Sequence, residues 1–215
     1  MASSLEELEQ QLRSISHSEE AIHAVQAFSN SLSGTKARLD VWNAVNAIVR
    51  TPIEYKETSA LGFDTADDQF SVLQGDIVQT EAAYFYGERI AGMAKFAVLN
   101  SSCDLVPGRT PHASLLRILP IRKDEERAKE KLGTLLKFSR RDSMYLPALA
   151  DDAEDVIGNA ISFEGICQIR SSDLFLGNRV ASLSLVGWRI FASVTRTVMA
   201  RANPREVELR MAVEN

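Results

Sequence analysis

The apolar run Phe96-Ala97-Val98-Leu99 ends in Asn100, two serines, and the pair Cys103-Asp104, followed by a Pro107-Gly108 turn. A thiol there can serve as a nucleophile once a base or a helix N-terminus lowers its pKa. The nearest histidine in sequence is His112, across the turn, where a hairpin brings it back toward Cys103 and Asp104 orients its ring. Cys103, His112 and Cys167 also offer three zinc-type ligands, with Asp104 as a fourth, though the tight ligand pairing of most zinc sites is absent. The alternative is a structural corner: Cys103 packs as a small apolar residue and Asp104 accepts backbone N–H groups. The spacing favours the corner and implies no cofactor. Elsewhere the chain has no Gly-rich nucleotide loop, no HExxH and no serine elbow.

Charge points to a second kind of chemistry. The net charge is −5, but it is unevenly spread. Residues 1–108 hold 7 Lys/Arg against 15 Asp/Glu, whereas residues 109–141 hold 10 against 4. Residues 142–169 carry acids alone, and 170–210 return to a basic surplus of 7 against 3. Arg122, Lys123, Arg140 and Arg141 are the candidates for a nucleic-acid-binding face, with Arg170, Arg179, Arg189, Arg196 and Arg201 as further phosphate contacts. Overall acidity limits this to weak, salt-sensitive binding.

Composition sets the class. An apolar share of 45% and a charged share of 25% describe an ordinary globular chain. No window approaches eighteen consecutive apolar residues, so no membrane partner is expected. The acidic, amphipathic start MASSLEELEQQL is unlike a secretory leader, and the expected location is cytoplasmic. Two cysteines without paired spacing are expected as free thiols.

These residues need a framework. Leu5, Leu8, Leu12 and Ile15 recur at helical steps, and Ser18 is placed to cap a helix carrying Ile22, Val25 and Phe28. A third helix is expected through Leu39, Trp42, Val45 and Val49, ending before Pro52. Residues 1–52 therefore read as a helical segment suited to a protein partner or to self-association. Residues 53–70 read as a linker or loop. Short strands are expected at 75–80, 83–88, 95–100, 114–121, 160–169 and 179–185, with a helical insertion between Arg122 and Phe138 and a last helix over 185–200. Gly75-Asp76 reads as the entry turn of the first strand, with Asp76 capping backbone donors. Trp188, Phe191, Val194 and Val198 read as a core stripe.

The order Gly75-Asp76-Ile77-Val78, an aromatic-and-glycine loop, KFAVLNSSCDL and LLRILPI resembles the small SH3-like barrel of MazF/PemK-type proteins. More closely, it is similar to a set of bacterial proteins with a VLxxSCDL strand end. Those proteins also carry a downstream Tyr-Leu-Pro, here Tyr145-Leu146-Pro147, and an RxAxLS segment, here Arg179 to Ser184. The match covers about 70–200. It implies a small SH3-like antiparallel β-barrel over 70–200, and with the helical patterns above the expected fold is α+β: that barrel with a helical insertion, N-terminal helices and a C-terminal helix. It also implies a bacterial setting of the phage-defence or toxin–antitoxin kind. In MazF-type ribonucleases an arginine after the first strand and a later hydroxyl residue do the chemistry, and Arg89 stands in the comparable loop. Arg122-Lys123 occupy the place of the hydroxyl, and Ala94-Lys95 that of an Arg-Pro pair. One arginine cannot both stabilise a phosphate and move a proton. The expectation is a non-catalytic binding or regulatory module, with an Arg89 ribonuclease or Cys103 chemistry as the alternative.

Overall fold

The computed structural model describes residues 4–60 and 71–199, together with 208, 211 and 212. Helices α1 (Leu5–Ser14), α2 (Glu19–Ser31) and α3 (Gly34–Trp42) come first, then strand β1 (Val49–Arg50) and helix α4 (Tyr55–Ala60). Strands β2 (Ile77–Thr80), β3 (Tyr84–Phe85), β4 (Glu88–Arg89) and β5 (Ala94–Val98) follow. A 3-10 turn at Ser102–Leu105 leads to β6 (His112–Arg122), α5 (Ala128–Leu135), β7 (Ser143–Leu146), β8 (Val156–Ser162) and β9 (Cys167–Arg170). Helix α6 (Ser171–Leu176), strand β10 (Asn178–Leu183) and helix α7 (Leu185–Met199) complete the order. The fold is α+β.

Every strand pair is antiparallel. The hydrogen-bonded path runs β1-β10-β2-β5-β6-β9-β3-β4, with β8 branching from β6 and β7 from β8. Among the described residues its ends do not meet, so the sheet is open where the sequence led us to expect a closed small barrel. The eleven-residue β6 is the reason for the branching. Its first half pairs with β5 and β9, its second half with β8.

Strand alternation sends neighbouring side chains to two different cores. Val78, Phe96, Val98, Ala113, Leu115, Cys167 and Ile169 join a smaller cluster. Ile77, Ala97, Leu116 and Ile118 face a larger one that holds Leu8, Leu12, Val25, Trp42, Ile190 and Phe191. The N-terminal stripe therefore packs in the same core as the sheet and α7. Ser4 and Glu7 form a reciprocal capping box at the start of α1.

Local departures have local causes. Ser18 stands at the N-cap of α2, but its hydroxyl donates to the Ser16 carbonyl at 3.3 Å instead of capping. Helix α3 stops at Trp42, leaving Val45 90% exposed and Val49 in a strand, because β1 pairs with β10 and Asn43 accepts the Tyr145 hydroxyl at 2.6 Å. The expected single strand over 160–169 is two, β8 and β9, turned at Gly165 with φ +96°; a side chain there would collide with the Phe85 ring. The expected loop over 53–70 contains α4, and its residues 61–70 lie outside the described residues, as does Arg201. No helix among the described residues is long and apolar enough to cross a membrane.

Candidate functional site

Strand β9 separates Cys167 from the other chemistry. Its side chain is fully buried in the smaller core, where burial pushes the thiol pKa up, away from a reactive thiolate. Cys103 is exposed in the 3-10 turn, not packed as the small apolar residue expected of the corner. That turn is pinned by its own carbonyls: Cys103 O accepts from the Arg109 guanidinium at 2.9 Å and Asp104 O from the Thr110 hydroxyl at 3.0 Å. Ser102 Oγ accepts the Gln74 N–H at 2.9 Å, which docks the turn on the entry to β2. His112 is exposed at the start of β6. No group of three His, Cys, Asp or Glu side chains among the described residues is close enough to hold a metal.

The four basic candidates lie in two pairs, one near each end of β8. Arg122 pairs with Asp155 at 2.6 Å and Lys123 donates to the Glu154 carbonyl at 3.1 Å, at the start of β8. Arg140 pairs with Asp142, and Arg141 with Glu19 at 3.0 Å, beside the other end of β8. At ~3.3 Å per residue the strand holds the two pairs about 20 Å apart. Their charge is largely answered by neighbouring acids. Arg89 is likewise tied to its own hairpin, with Nε donating to the Glu81 carbonyl at 2.8 Å and the Glu81 carboxylate 3.5 Å away.

Asp76 is fully buried, and burial raises its pKa against the opposing pull of its donors. Its carboxylate accepts from the Ser182 hydroxyl at 2.6 Å and the Leu73 N–H at 2.9 Å, with Arg179 at 3.5 Å. Arg179 reaches on to the Ser71 carbonyl, and to the Ile53 carbonyl at 2.6 Å. A concavity of about 350 Å³ lies here, walled by Ile53, Gln74, Ser102, Ser184 and Trp188. Several of its polar groups are engaged within the fold: Trp188 Nε1 donates to Gln74 Oε1 at 3.1 Å and Ser184 Oγ to the Ala47 carbonyl at 2.8 Å. This network holds four segments together.

A different cleft is open. Along β9, Gln168 and Arg170 face away from the small core, and cross-strand register sets Tyr84 beside Gln168 and His112 beside Arg170. Tyr84 is also the partner of Arg89, and Gln168 of Ser114. Over β2, β5 and β6 this side of the sheet is covered by the larger core; over β9, β3 and β4 it is bare. Tyr84, Tyr86, His112, Ile166, Gln168 and Arg170 line a cleft of about 440 Å³ there. No acid is among its lining residues.

Its geometry is set by the β3–β4 hairpin. The two-residue turn Tyr86-Gly87 has φ +50° and +84°, the left-handed pair that a tight hairpin needs. Asn or Gly meets that requirement at lower cost, yet Tyr86 stands there with 88% of its surface exposed. Phe85 packs over Gly165 and fixes the hairpin, with the Tyr86 ring 4.3 Å from its own. Arg170, also exposed, makes no ion pair among the described residues, unlike Arg89, Arg122, Arg140, Arg141 and Arg179. An exposed aromatic pair beside a cation with no ion pair among the described residues is equipped to bind.

Comparison with protein-family models, with curated proteins and with solved structures returns no match.

Proposed function

We propose that the chain is a non-catalytic binding module of a cytoplasmic bacterial complex, and that the β3/β9/β6 cleft is its ligand face. The observation that carries this is Tyr86: a large aromatic ring held in a left-handed backbone and left exposed beside Arg170, which makes no ion pair among the described residues. Backbone strain at an exposed position is accounted for when the side chain has work outside the fold. The MazF/PemK-type resemblance supports the same reading, with β2, β5 and β6 as the counterparts of its SH3-like barrel strands. A protein ligand fits better than nucleic acid, because the candidate phosphate contacts Arg122, Arg140 and Arg141 are paired with acids.

Photo-cross-linking tests the proposal. A benzophenone amino acid replaces Tyr86 in one variant and Val45, equally exposed and outside the cleft, in another. Irradiation in the source organism should give a discrete adduct from position 86 and none from position 45. Equal labelling at both positions, or none at 86, refutes the cleft as the ligand face.

A further inference from the structure

We infer that the cleft recognises an extended polypeptide segment of a partner protein, one that presents a single Asp or Glu carboxylate beside an aromatic or large aliphatic side chain. This rests on the binding-module reading above and adds the class of ligand. Three features lead to it.

The first is charge. Arg170 and His112 are cross-strand neighbours on the bare side of the sheet, and no acid lines the cleft. Directly opposed residues hold their Cβ atoms about 5 Å apart, close enough for both to donate to one carboxylate. A nucleic-acid strand repeats its charge at every nucleotide and needs a track of cations. Here Arg89 is engaged by Glu81, and the basic pairs at the ends of β8 are engaged by Asp155, Asp142 and Glu19.

The second is the apolar rim. Tyr84, Tyr86 and Ile166 are 42%, 88% and 41% exposed around the same opening. They offer surface for one flat or branched side chain adjacent to the charge.

The third is backbone. β3 and β9 pair at one position only, Tyr84 with Gln168. Strand alternation turns the main-chain groups of Ile166 toward the β3 side, outside that ladder, whereas the Arg170 carbonyl, at the N-cap of α6, is taken by the first turn of that helix. An extended peptide supplies matching N–H and C=O groups, as strands added to sheet edges do.

Panning a phage-displayed random dodecapeptide library on the full chain tests this without presupposing a sequence. Enriched peptides should share an Asp or Glu within two positions of an aromatic or large aliphatic residue. Fluorescence anisotropy with a fluorescein-labelled enriched peptide then gives a double-mutant cycle. Arg170→Ala should weaken binding about tenfold, the scale of one partly exposed charge-assisted hydrogen bond. Changing the peptide's acid to its amide should cost a similar factor, and the two changes together no more than either alone. Arg170→Lys should restore most of the loss. Circular dichroism confirms that the exposed Arg170 variants fold. Absence of enrichment, enriched peptides without an acid, or independent effects of the two changes overturns the inference. A nucleic acid captured at position 86 overturns the peptide ligand while leaving a binding cleft; no capture at that position removes both.

Discussion

Replacing Tyr86 by Asn separates the demands of the fold from those of the ligand. In the Tyr86-Gly87 turn the first residue has φ +50° and connects Phe85 to its partner Glu88. Holding an ordinary L residue in this region costs about 1 kcal/mol, and Asn is among the residues that tolerate it best. Against this stands the lost ring contact with Phe85 at 4.3 Å, worth about 0.5 kcal/mol for an aromatic pair and less at a site this exposed. Tyr86→Asn should therefore stabilise the chain by about 0.5 kcal/mol. For a chain of this size that raises the melting temperature by about 1–2 °C. Binding of a panned peptide should fall at least severalfold, while Tyr86→Phe keeps both the strain and most of the affinity. Scanning calorimetry and anisotropy on the same preparations give the two numbers. A melting temperature lowered by several degrees would show that the ring supports the fold and would refute the strain argument. Unchanged affinity would remove Tyr86 from the ligand face.

Other expectations follow from packing and protonation. Gly187 lies in α7 where any Cβ overlaps the Ile48 carbonyl oxygen, which also accepts the Ser184 N–H at 2.9 Å; Gly187→Ala should cost about 3 kcal/mol or more in chemical denaturation. Deleting residues 1–50 strips Leu8, Leu12, Val25 and Trp42 from the core they share with Phe191 and Val194, so the truncated chain should aggregate rather than yield a folded sheet by size-exclusion chromatography. His17 packs edge-on against Trp188 at 4.5 Å, with Arg189 at 3.5 Å from Nδ1 and Arg196 donating to its carbonyl at 3.0 Å. Burial first, then those two cations, lower its pKa below 6.5. The unfolded chain thus binds the extra proton more readily, and stability present above pH 6.5 is lost as pH falls through the folded-state pKa. Denaturation midpoints between pH 7.5 and 5 should show this loss, and a His17→Phe variant should lack it.

Much of the framework was legible because it obeys simple periods. The α1 stripe, the strands after Gly75 and the last helix announce themselves by spacing, and Asp76 was readable as an acid that receives backbone N–H groups, as the Leu73 bond shows. What escaped was set by distant partners. α3 should run on through Val45 by its apolar spacing, but the pairing of β1 with β10 takes Val49 for a strand. Strand β7 was visible only as the motif Tyr145-Leu146-Pro147, since its pairing with β8 is what makes it a strand. The basic surplus has a similar limit: it says nothing about which carboxylates fold back onto it, as Asp155 and Glu19 do, while Asp142 answers Arg140 from two residues away.

The cleft illustrates the same limit more sharply. Tyr84, His112 and Arg170 come from three strands, and only the register of β9 with β3 and β6 gathers them. The one local signal was Tyr86-Gly87, a hairpin turn in which an aromatic residue replaces the usual Asn or Gly. By contrast, the segments that carry the resemblance serve as fasteners. Asp76 of the first strand entry meets Arg179 and Ser182 of the RxAxLS segment, and Ser102 of the SSCDL corner holds Gln74. Cys103 sits at that corner because the chain must turn there to bring β6 alongside β5. A motif can therefore mark the joints of a fold while the surface that meets the ligand lies between them. On this chain the proposed ligand surface is the bare side of β9, where a strained tyrosine stands beside Arg170, which makes no ion pair among the described residues.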